Sequence, residues 1–198
     1  IKTAYDINRF INASLEDLYD PFLMKDMDKG IELIKNAIEK NKKIAIYGDY
    51  DADGVTSTVI LYKGLKRCGA NFIYHIPDRE NEGYGMNKDR IEKLKNEGVE
   101  VILSCDNGIS AIDEIEFAKE LGIEVVITDH HELGFVEKDE KREYILPKAD
   151  ATINPKRQDC TYPFKLLCGA GIAFKFIQAL YSVMGISSKE LYELLQYA

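Results

Sequence analysis

The chain has 198 residues, of which 45% are hydrophobic and 30% are charged, so it is long enough and apolar enough to bury a sizeable core without disulfides. Its formal net charge of −8 excludes a simple basic nucleic-acid-binding module, because affinity for a phosphate backbone normally comes from Lys and Arg. It has neither an apolar run long enough for a membrane span nor a secretory segment at its start.

Short apolar runs alternate with helical patterns along most of the chain. Helices are predicted at residues 26–41, 55–68, 87–96 and 110–121, and the residues before 43 form a helical lead-in. Continuous apolar strands are predicted at residues 43–47, 72–76, 101–104 and 124–128. Because helices separate strands that carry apolar residues on both faces, we expect parallel crossovers and a sheet covered on both sides. The sequence therefore predicts an α/β fold with three α/β/α layers of Rossmann-like type.

The rest of the chain is less regular. Residues 137–143 (EKDEKRE) are predicted to form a solvated loop, and residues 151–153 a short strand. Two helices should follow, one at residues 171–184 and one that starts at a capping box of Ser187 and Glu190 and continues to Ala198. Since the chain starts with Ile1 and ends within a helical pattern, we expect it to be part of a longer protein.

The four cysteines predict a reducing compartment. None of them forms a CxxC pair, so we expect reduced thiols and a cytoplasmic location. The cysteines are Cys68, Cys105, Cys160 and Cys168.

Three of the predicted strands are followed directly by acidic or imidazole side chains. Residues 48–54 (GDYDADG) follow the first strand, residues 105–108 (CDNG) the third, and residues 129–132 (DHHE) the fourth. The carboxyl ends of parallel strands lie at one edge of a sheet, where ligands bind in open α/β folds. We therefore expect the three clusters to converge on one crevice.

So many carboxylates in one place need cations to stay ionised. Carboxylates with imidazole suit Mn²⁺ or Mg²⁺, and a pair of such ions supports hydrolysis of phosphodiesters. Each cluster also has a structural alternative: Asp53 as a helix N-cap, Asp106-Asn107-Gly108 as a turn, and His130-His131 as a packed pair. Their recurrence at successive strand ends favours the metal site, and the sequence has neither GxGxxG nor a GKS/GKT loop.

These motifs resemble those of the DHH phosphoesterases. The segment GDYDADG with the following VTST is similar to the first motif of that family, Asp106-Asn107-Gly108 to the second, and Asp129-His130-His131 to the motif that names it. The segments IPDRENEGYG and NPKRQDCTYPFKLLCGAGIAFKF resemble the RecJ-type branch of the family. The resemblance implies a 5′ to 3′ exonuclease acting on single-stranded DNA in recombination and repair.

The resemblance also implies roles for individual residues. Metal ligands are expected at Asp49, Asp51, Asp53, Asp106 and His130, with Asp106 bridging two ions. The residues expected to act in catalysis are Asp51, Asp53, Asp106, His130 and His131. His131 would bind metal or contact the scissile phosphate, while Asp129 would orient a histidine. Asn107, where many relatives have Cys, would support the ligands from behind.

Residues further along the chain are candidates for substrate binding. Arg79 could clamp a phosphate and Tyr84 could stack on a base, or both could belong to a rigid loop. Gly169 and Gly171 open a helix whose N-terminus could attract phosphate or pack closely on the sheet.

The resemblance implies Mn²⁺ or Mg²⁺ as cofactor, with two ions in the full-length protein. It implies single-stranded DNA as the main partner, a single-strand-binding protein and a helicase as further partners, and no membrane. A further metal-binding aspartate of the family is expected after the present C-terminus, and its second lobe and oligonucleotide-binding domain are absent from the chain. Two alternatives stay open: a DHH phosphodiesterase for oligoribonucleotides or cyclic dinucleotides, and a non-catalytic nucleic-acid-binding relative.

Overall fold

The computed structural model describes residues 3–80, 82–83, 85–138 and 141–198, and gives only the backbone for residues 4–6, 9 and 141. Its main sheet has five parallel strands, which lie side by side in the order β2-β1-β3-β4-β7. The strands are β1 (Ile44–Tyr47), β2 (Phe72–His75), β3 (Val101–Cys105), β4 (Glu124–Thr128), β5 (Phe135–Lys138), β6 (Lys141–Tyr144) and β7 (Ala151–Ile153).

Helices cover both faces of this sheet, and the predicted three-layer α/β/α class is confirmed. The helices are α1 (Ala4–Ile11), α2 (Met27–Glu39), α3 (Ala52–Arg67), α4 (Lys88–Asn96), α5 (Ile112–Glu120) and α6 (Gly169–Met184). Short 3-10 helices lie at Leu15–Asp17, Pro21–Leu23 and Ser188–Glu193.

The alternation of side chains along each strand produces two separate cores. Ile44 and Ile46 of β1 are buried in the core that contains α2, α3 and α6. Ala45 and Tyr47 point the other way, into the core that contains α4 and α5. Burial on both faces explains why these strands are apolar throughout.

Helices α3 and α6 pack closely because Gly64 has no side chain. A Cβ atom on Gly64 would lie 2.3 Å from Cδ1 and 2.6 Å from Cγ1 of Ile177, which is well inside van der Waals contact. Glycine at this crossing therefore permits the close approach of the two helices.

Helix α3 begins earlier than predicted. Asp51, and not Asp53, is its N-cap, and the Asp51 carboxylate accepts a hydrogen bond of 2.9 Å from the amide of Gly54. The prediction of a start at Val55 was wrong because the DADG segment, read as a loop, forms the first turn of the helix. Asp53 is thereby placed inside this first turn.

The prediction of a solvated loop at residues 137–143 was wrong for the part of this range that the structure describes. The chain forms an antiparallel hairpin of β5 and β6, in which Phe135 pairs with Tyr144 and Lys138 with Lys141. All four residues of β5 are exposed, so the solvated character holds while the backbone is ordered into strands. The charged residues 137–143 show no period-two hydrophobic pattern, because the side chains of the hairpin that the structure describes are exposed to solvent.

The helix predicted from Ser187 to Ala198 is replaced by a 3-10 helix that ends at Glu193, followed by turns. Ser187 does accept a hydrogen bond from the amide of Lys189, but Glu190 forms an ion pair with Arg67 of α3 instead of closing the capping box. Within the part of the chain that the structure describes, every helix is too short or too polar to span a bilayer.

The amine of Lys175 in α6 is buried, and its titration should be visible in the stability of the fold. Its side chain is 3% exposed, and Nζ donates hydrogen bonds to the carbonyl oxygen of Tyr19 (2.7 Å) and to Oε1 of Gln178 (2.9 Å). Burial lowers the pKa of Lys175 from 10.5 to about 8. Below pH 8 the folded and unfolded chains both bind the proton, so folding carries the full cost of burying a charge.

Between pH 8 and 10.5 the unfolded chain binds more protons at Lys175 than the folded chain does, so stability should rise with pH. The rise should amount to roughly 1–1.4 kcal/mol per pH unit. Urea unfolding of the wild type and of Lys175→Met at several pH values checks this, because the other titrating groups cancel in the difference. A difference that stays constant between pH 7.5 and 10.5 would contradict the assignment.

Candidate metal centre

The carboxyl ends of β1, β3 and β4 bring the three predicted clusters together. Two groups of potential metal ligands result, each with donor atoms that all lie within 4.8 Å of one another. One group consists of Asp49, Asp51 and Asp106, and the other of Asp106, His130 and His131. Because these strands are neighbours in the sheet, residues about 80 positions apart in the chain meet at one edge.

Asp106 belongs to both groups and has the least ordinary surroundings. It is 1% exposed, and its backbone has a φ of 60°, a left-handed conformation that costs energy for a residue other than glycine. Its Oδ1 receives no hydrogen bond from the residues that the structure describes, although Nε2 of His130 lies 3.0 Å away. A buried carboxylate oxygen without a donor fits a cation as its missing partner.

The electrostatics of Asp106 agree with that interpretation. Burial, and after it the nearby carboxylates of Asp53 and Asp51, raise the pKa of Asp106 to about 8. Burial, together with Asp51, also raises the pKa of Asp49. The protein by itself therefore disfavours the ionised form of this cluster, and a divalent cation would reverse that preference.

Asp129 fixes the position of both histidines. Its Oδ1 accepts hydrogen bonds from the amides of His130 (2.7 Å) and His131 (3.0 Å) and lies 2.7 Å from Nδ1 of His131. Its Oδ2 accepts a hydrogen bond of 2.9 Å from the amide of Ile109. Burial would raise the pKa of Asp129, but these hydrogen bonds hold it below the usual value.

The surroundings shift the pKa values of the two histidines in opposite directions. The hydrogen bond with Asp129 raises the pKa of His131, whereas burial and the neighbouring His131 lower the pKa of His130. A neutral His130 suits a metal ligand, since a ligating imidazole must be deprotonated.

Asp53 lies beside both groups of ligands without belonging to either. Its carboxylate accepts hydrogen bonds of 2.7 Å from the amides of Gly169 and Ala170, so it caps the N-terminus of α6. Its Oδ2 is 3.4 Å from Nε2 of His130. A Cβ on Gly169 would lie 2.6 Å from Oδ1 of Asp106, so the start of α6 is packed directly against the cluster.

Asn107 supports the loop after β1. Its Nδ2 donates a hydrogen bond of 2.6 Å to the carbonyl of Gly48, and the residue is 2% exposed. The amide therefore ties the end of β3 to the loop that carries Asp49, while a supporting role of Asn107 toward a metal stays a prediction.

The candidate substrate-binding residues that the structure describes lie in separate segments of the chain and do not form a single cluster as the candidate metal ligands do. Arg79 is exposed, and its guanidinium carbon lies 5.4 Å from the centroid of the Tyr50 ring. Tyr84 lies outside the described residues. The amide of Gly169 is engaged by Asp53, and the amide of Gly171 donates to Sγ of Cys168 at 3.3 Å. Phosphate binding by these two amides stays a prediction.

Two supporting contacts were not predicted. The amide of Ala170 holds Asp53, and Nδ2 of Asn154 donates a hydrogen bond of 3.0 Å to the carbonyl of His131. Asn154 follows strand β7 and is 0% exposed. The contact between Asp53 and Ala170 spans 117 positions, so no local signal could have indicated it.

We expect Asp129→Asn to weaken Mn²⁺ binding by about 10–100-fold, the usual effect of removing a group that orients a metal-binding histidine. The amide would present its NH₂ group to hydrogen-bond donors and release the ring of His131. Isothermal titration with Mn²⁺ measures the change. Asp150→Asn is the control, because Asp150 accepts a hydrogen bond of 2.7 Å from the amide of Val125 and is not part of either ligand group. Equal affinities in the two variants would contradict the assigned role.

The chain is similar in sequence to a known protein family. The model of the DHH family, N-terminal domain, matches residues 43–198. The single-stranded-DNA-specific exonuclease RecJ of Bacillus subtilis is 46% identical over 178 residues, which are 90% of this chain and 22% of that protein.

Two solved structures are similar as well. A crystal structure of exonuclease RecJ bound to manganese has a TM-score of 0.73 and 32% identity, covering 86% of this chain and 41% of that one. RecJ from Thermus thermophilus in complex with Mn²⁺ has a TM-score of 0.68 and 30% identity, covering 86% of this chain and 23% of that one. The chain thus spans less than half the length of each of these relatives.

Proposed function

Because the chain belongs to the DHH family, we propose that it carries the metal-binding part of a phosphodiesterase that removes nucleotides from single-stranded DNA in the 5′ to 3′ direction. The observation that supports this most directly is the pair of ligand groups that share Asp106. The resemblance to RecJ over 90% of the chain supports the choice of substrate.

The proposed ligands divide between two divalent ions, Mn²⁺ or Mg²⁺. Asp49 and Asp51 would hold one ion, His130 and His131 the other, and Asp106 both. Oxygen and imidazole donors suit these cations, and Mn²⁺ accompanies the similar RecJ structures. When bound, such ions neutralise the scissile phosphate and provide a nucleophilic water at neutral pH.

The chain's own residues provide the positioning. Asp129 holds Nδ1 of His131 at 2.7 Å and so directs Nε2 away from itself, toward a ligand or a phosphate oxygen. Asp53 contributes through the contact with α6 and through its 3.4 Å approach to His130, and a direct bond to metal stays part of the proposal. Arg79 would bind a substrate phosphate.

The cellular setting is also proposed. Recombination and repair, a cytoplasmic location, and contacts with a single-strand-binding protein and a helicase follow from the likeness to RecJ and stay predictions.

Substrate choice is tested with the protein that carries this chain, purified at its natural length. We expect Mn²⁺-dependent release of mononucleotides from long single-stranded DNA, with loss of a 5′ label before a 3′ label. Cleavage of dinucleotides, oligoribonucleotides and cyclic dinucleotides is measured in parallel. Preference for any of those three would assign the chain to another branch of the family. Mn²⁺ binding without hydrolysis of any of them would favour a non-catalytic relative.

A further inference from the structure

A groove at one edge of the main sheet contains none of the residues that the proposed function assigns to metal binding or catalysis. It lies between α3 and the edge strand β2 and has a volume of about 330 Å³. We call it the edge groove, and it is lined by Val55, Thr58, Val59, Tyr62, Lys63, Tyr74 and Ile76.

The edge groove exposes large apolar and aromatic side chains. Tyr74 is 58% exposed, Val55 39% and Tyr62 37%. The ring of Tyr62 lies edge-on to that of Tyr74 at 5.8 Å between centroids, and to that of Phe72 at 5.1 Å. Three aromatic rings thus form one cluster on the surface, and exposed apolar clusters of this kind mark interaction sites.

The charge of the edge groove is opposite to that of the chain as a whole. The chain has a net charge of −8, yet among the described residues that line the groove the single charged side chain is that of Lys63. The adjoining depression includes Tyr62 and three basic residues, Lys63, Lys66 and Arg67, together with the two acidic residues Glu190 and Glu193. A partner with flat apolar groups and negative charge fits this combination, and single-stranded nucleic acid has both.

Helix α3 contributes residues both to the metal centre and to the edge groove. Asp51 caps the helix and Asp53 lies in its first turn, while Val55 and Tyr62 follow on the groove side. At about 1.5 Å per residue, Tyr62 lies roughly 15 Å along the helix from Ala52. At the stacked spacing of roughly 3.4 Å per nucleotide, this distance corresponds to about four nucleotides.

We propose that the edge groove binds single-stranded DNA several nucleotides away from the scissile phosphate, with bases stacked on Tyr74 and Tyr62 and a phosphate near Lys63. This inference rests on the proposed function. It makes a separate claim, however, because it concerns the length of substrate that is held and not the cleavage itself.

The test compares binding of fluorescein-labelled oligothymidylates of two, four and eight nucleotides to the chain. Ca²⁺ replaces Mn²⁺, so that binding is measured by fluorescence anisotropy without cleavage. Tyr74→Ala should weaken binding of the eight-nucleotide strand about tenfold, the usual effect of losing one stacking ring. It should leave the dinucleotide unaffected. Lys63→Gln should reduce the slope of log affinity against log salt by about 0.7.

Two controls match the variants. Tyr74→Phe keeps the stacking surface and should bind like the wild type. Tyr192 is a 56% exposed tyrosine on the 3-10 helix Ser188–Glu193, outside the edge groove, so Tyr192→Ala should have no effect.

The possible failures can be told apart. If the wild type binds the eight-nucleotide strand and Tyr74→Ala binds it equally well, the groove proposal is overturned and the proposed function stands. If the wild type binds none of the strands, and the natural-length protein cleaves none, the proposed function is overturned together with the groove. Sedimentation that shows self-association of the wild type but not of Tyr74→Ala would assign the groove to a second copy of the chain and overturn the proposal.

Discussion

Replacing Asp106 with Asn should abolish metal-dependent hydrolysis. In the natural-length protein the rate should fall by about 10³-fold or more, equivalent to roughly 4 kcal/mol of lost transition-state stabilisation. Asp106 contributes to both ligand groups, so its replacement removes a negative charge from each of them. Mn²⁺ titration of the chain, followed by electron paramagnetic resonance, should show a matching loss of affinity.

The substitution Asp106→Asn distinguishes a metal-binding role of Asp106 from a purely structural role. Asn tolerates the φ of 60° that Asp106 adopts, and it has nearly the same shape. With a pKa of about 8, Asp106 is largely neutral at pH 7 without metal, so the variant should melt within a few degrees of the wild type under those conditions. Asp113→Asn, an exposed acid in the first turn of α5, serves as control. Unchanged Mn²⁺ affinity in Asp106→Asn would remove the basis of the proposed function.

The second large effect is expected from Gly54→Ala. A Cβ at this position would lie 2.5 Å from the backbone oxygen of Asp49 and 2.6 Å from its carbonyl carbon. Backbone atoms cannot rotate away as a side chain can, so either α3 or the loop after β1 must move. We expect a loss of about 3 kcal/mol in the free energy of unfolding, measured by urea denaturation, and weaker Mn²⁺ binding because Asp49 is displaced.

Gly171→Ala is a matched control for this prediction. Gly54 and Gly171 are each the third residue of their helix, α3 and α6 respectively. A Cβ on Gly171 would lie 3.2 Å from Cδ2 of Leu167, the end of a flexible side chain. We expect its stability to change by less than about 1 kcal/mol, since the helix propensity of Ala offsets a small steric cost. Equal losses in the two variants would show that the contact with Asp49 is not the cause.

Several features could be obtained from local pattern alone. Strand β4 has the bounds that were predicted, and helix α4 and strand β3 differ from their predicted bounds by one residue. The polar clusters after β1, β3 and β4 were expected to meet because parallel strands place their carboxyl ends at one edge. The structure brings Asp49, Asp51, Asp106, His130 and His131 together as expected, and the role of each in catalysis stays a prediction.

Other features depended on contacts between distant positions. The amide of Gly169 donates a hydrogen bond to Asp53 across 116 positions, so a residue predicted as a metal ligand also caps the N-terminus of α6. Glu190 was expected to complete a local capping box and instead pairs with Arg67. The edge groove combines residues of α3 with residues at and after β2. No hydrophobic periodicity in the sequence links these two segments.

The sequence by itself determined the α/β architecture and the edge at which polar side chains collect, because side-chain periodicity and chain direction are local properties. Only the tertiary structure decided which oxygen of Asp106 is buried without a donor among the described residues, how closely α6 approaches the cluster, and where aromatic rings stay exposed. Those outcomes depend on the packing of α3, α6 and the sheet against one another, and packing is a property of residues that are far apart in the chain.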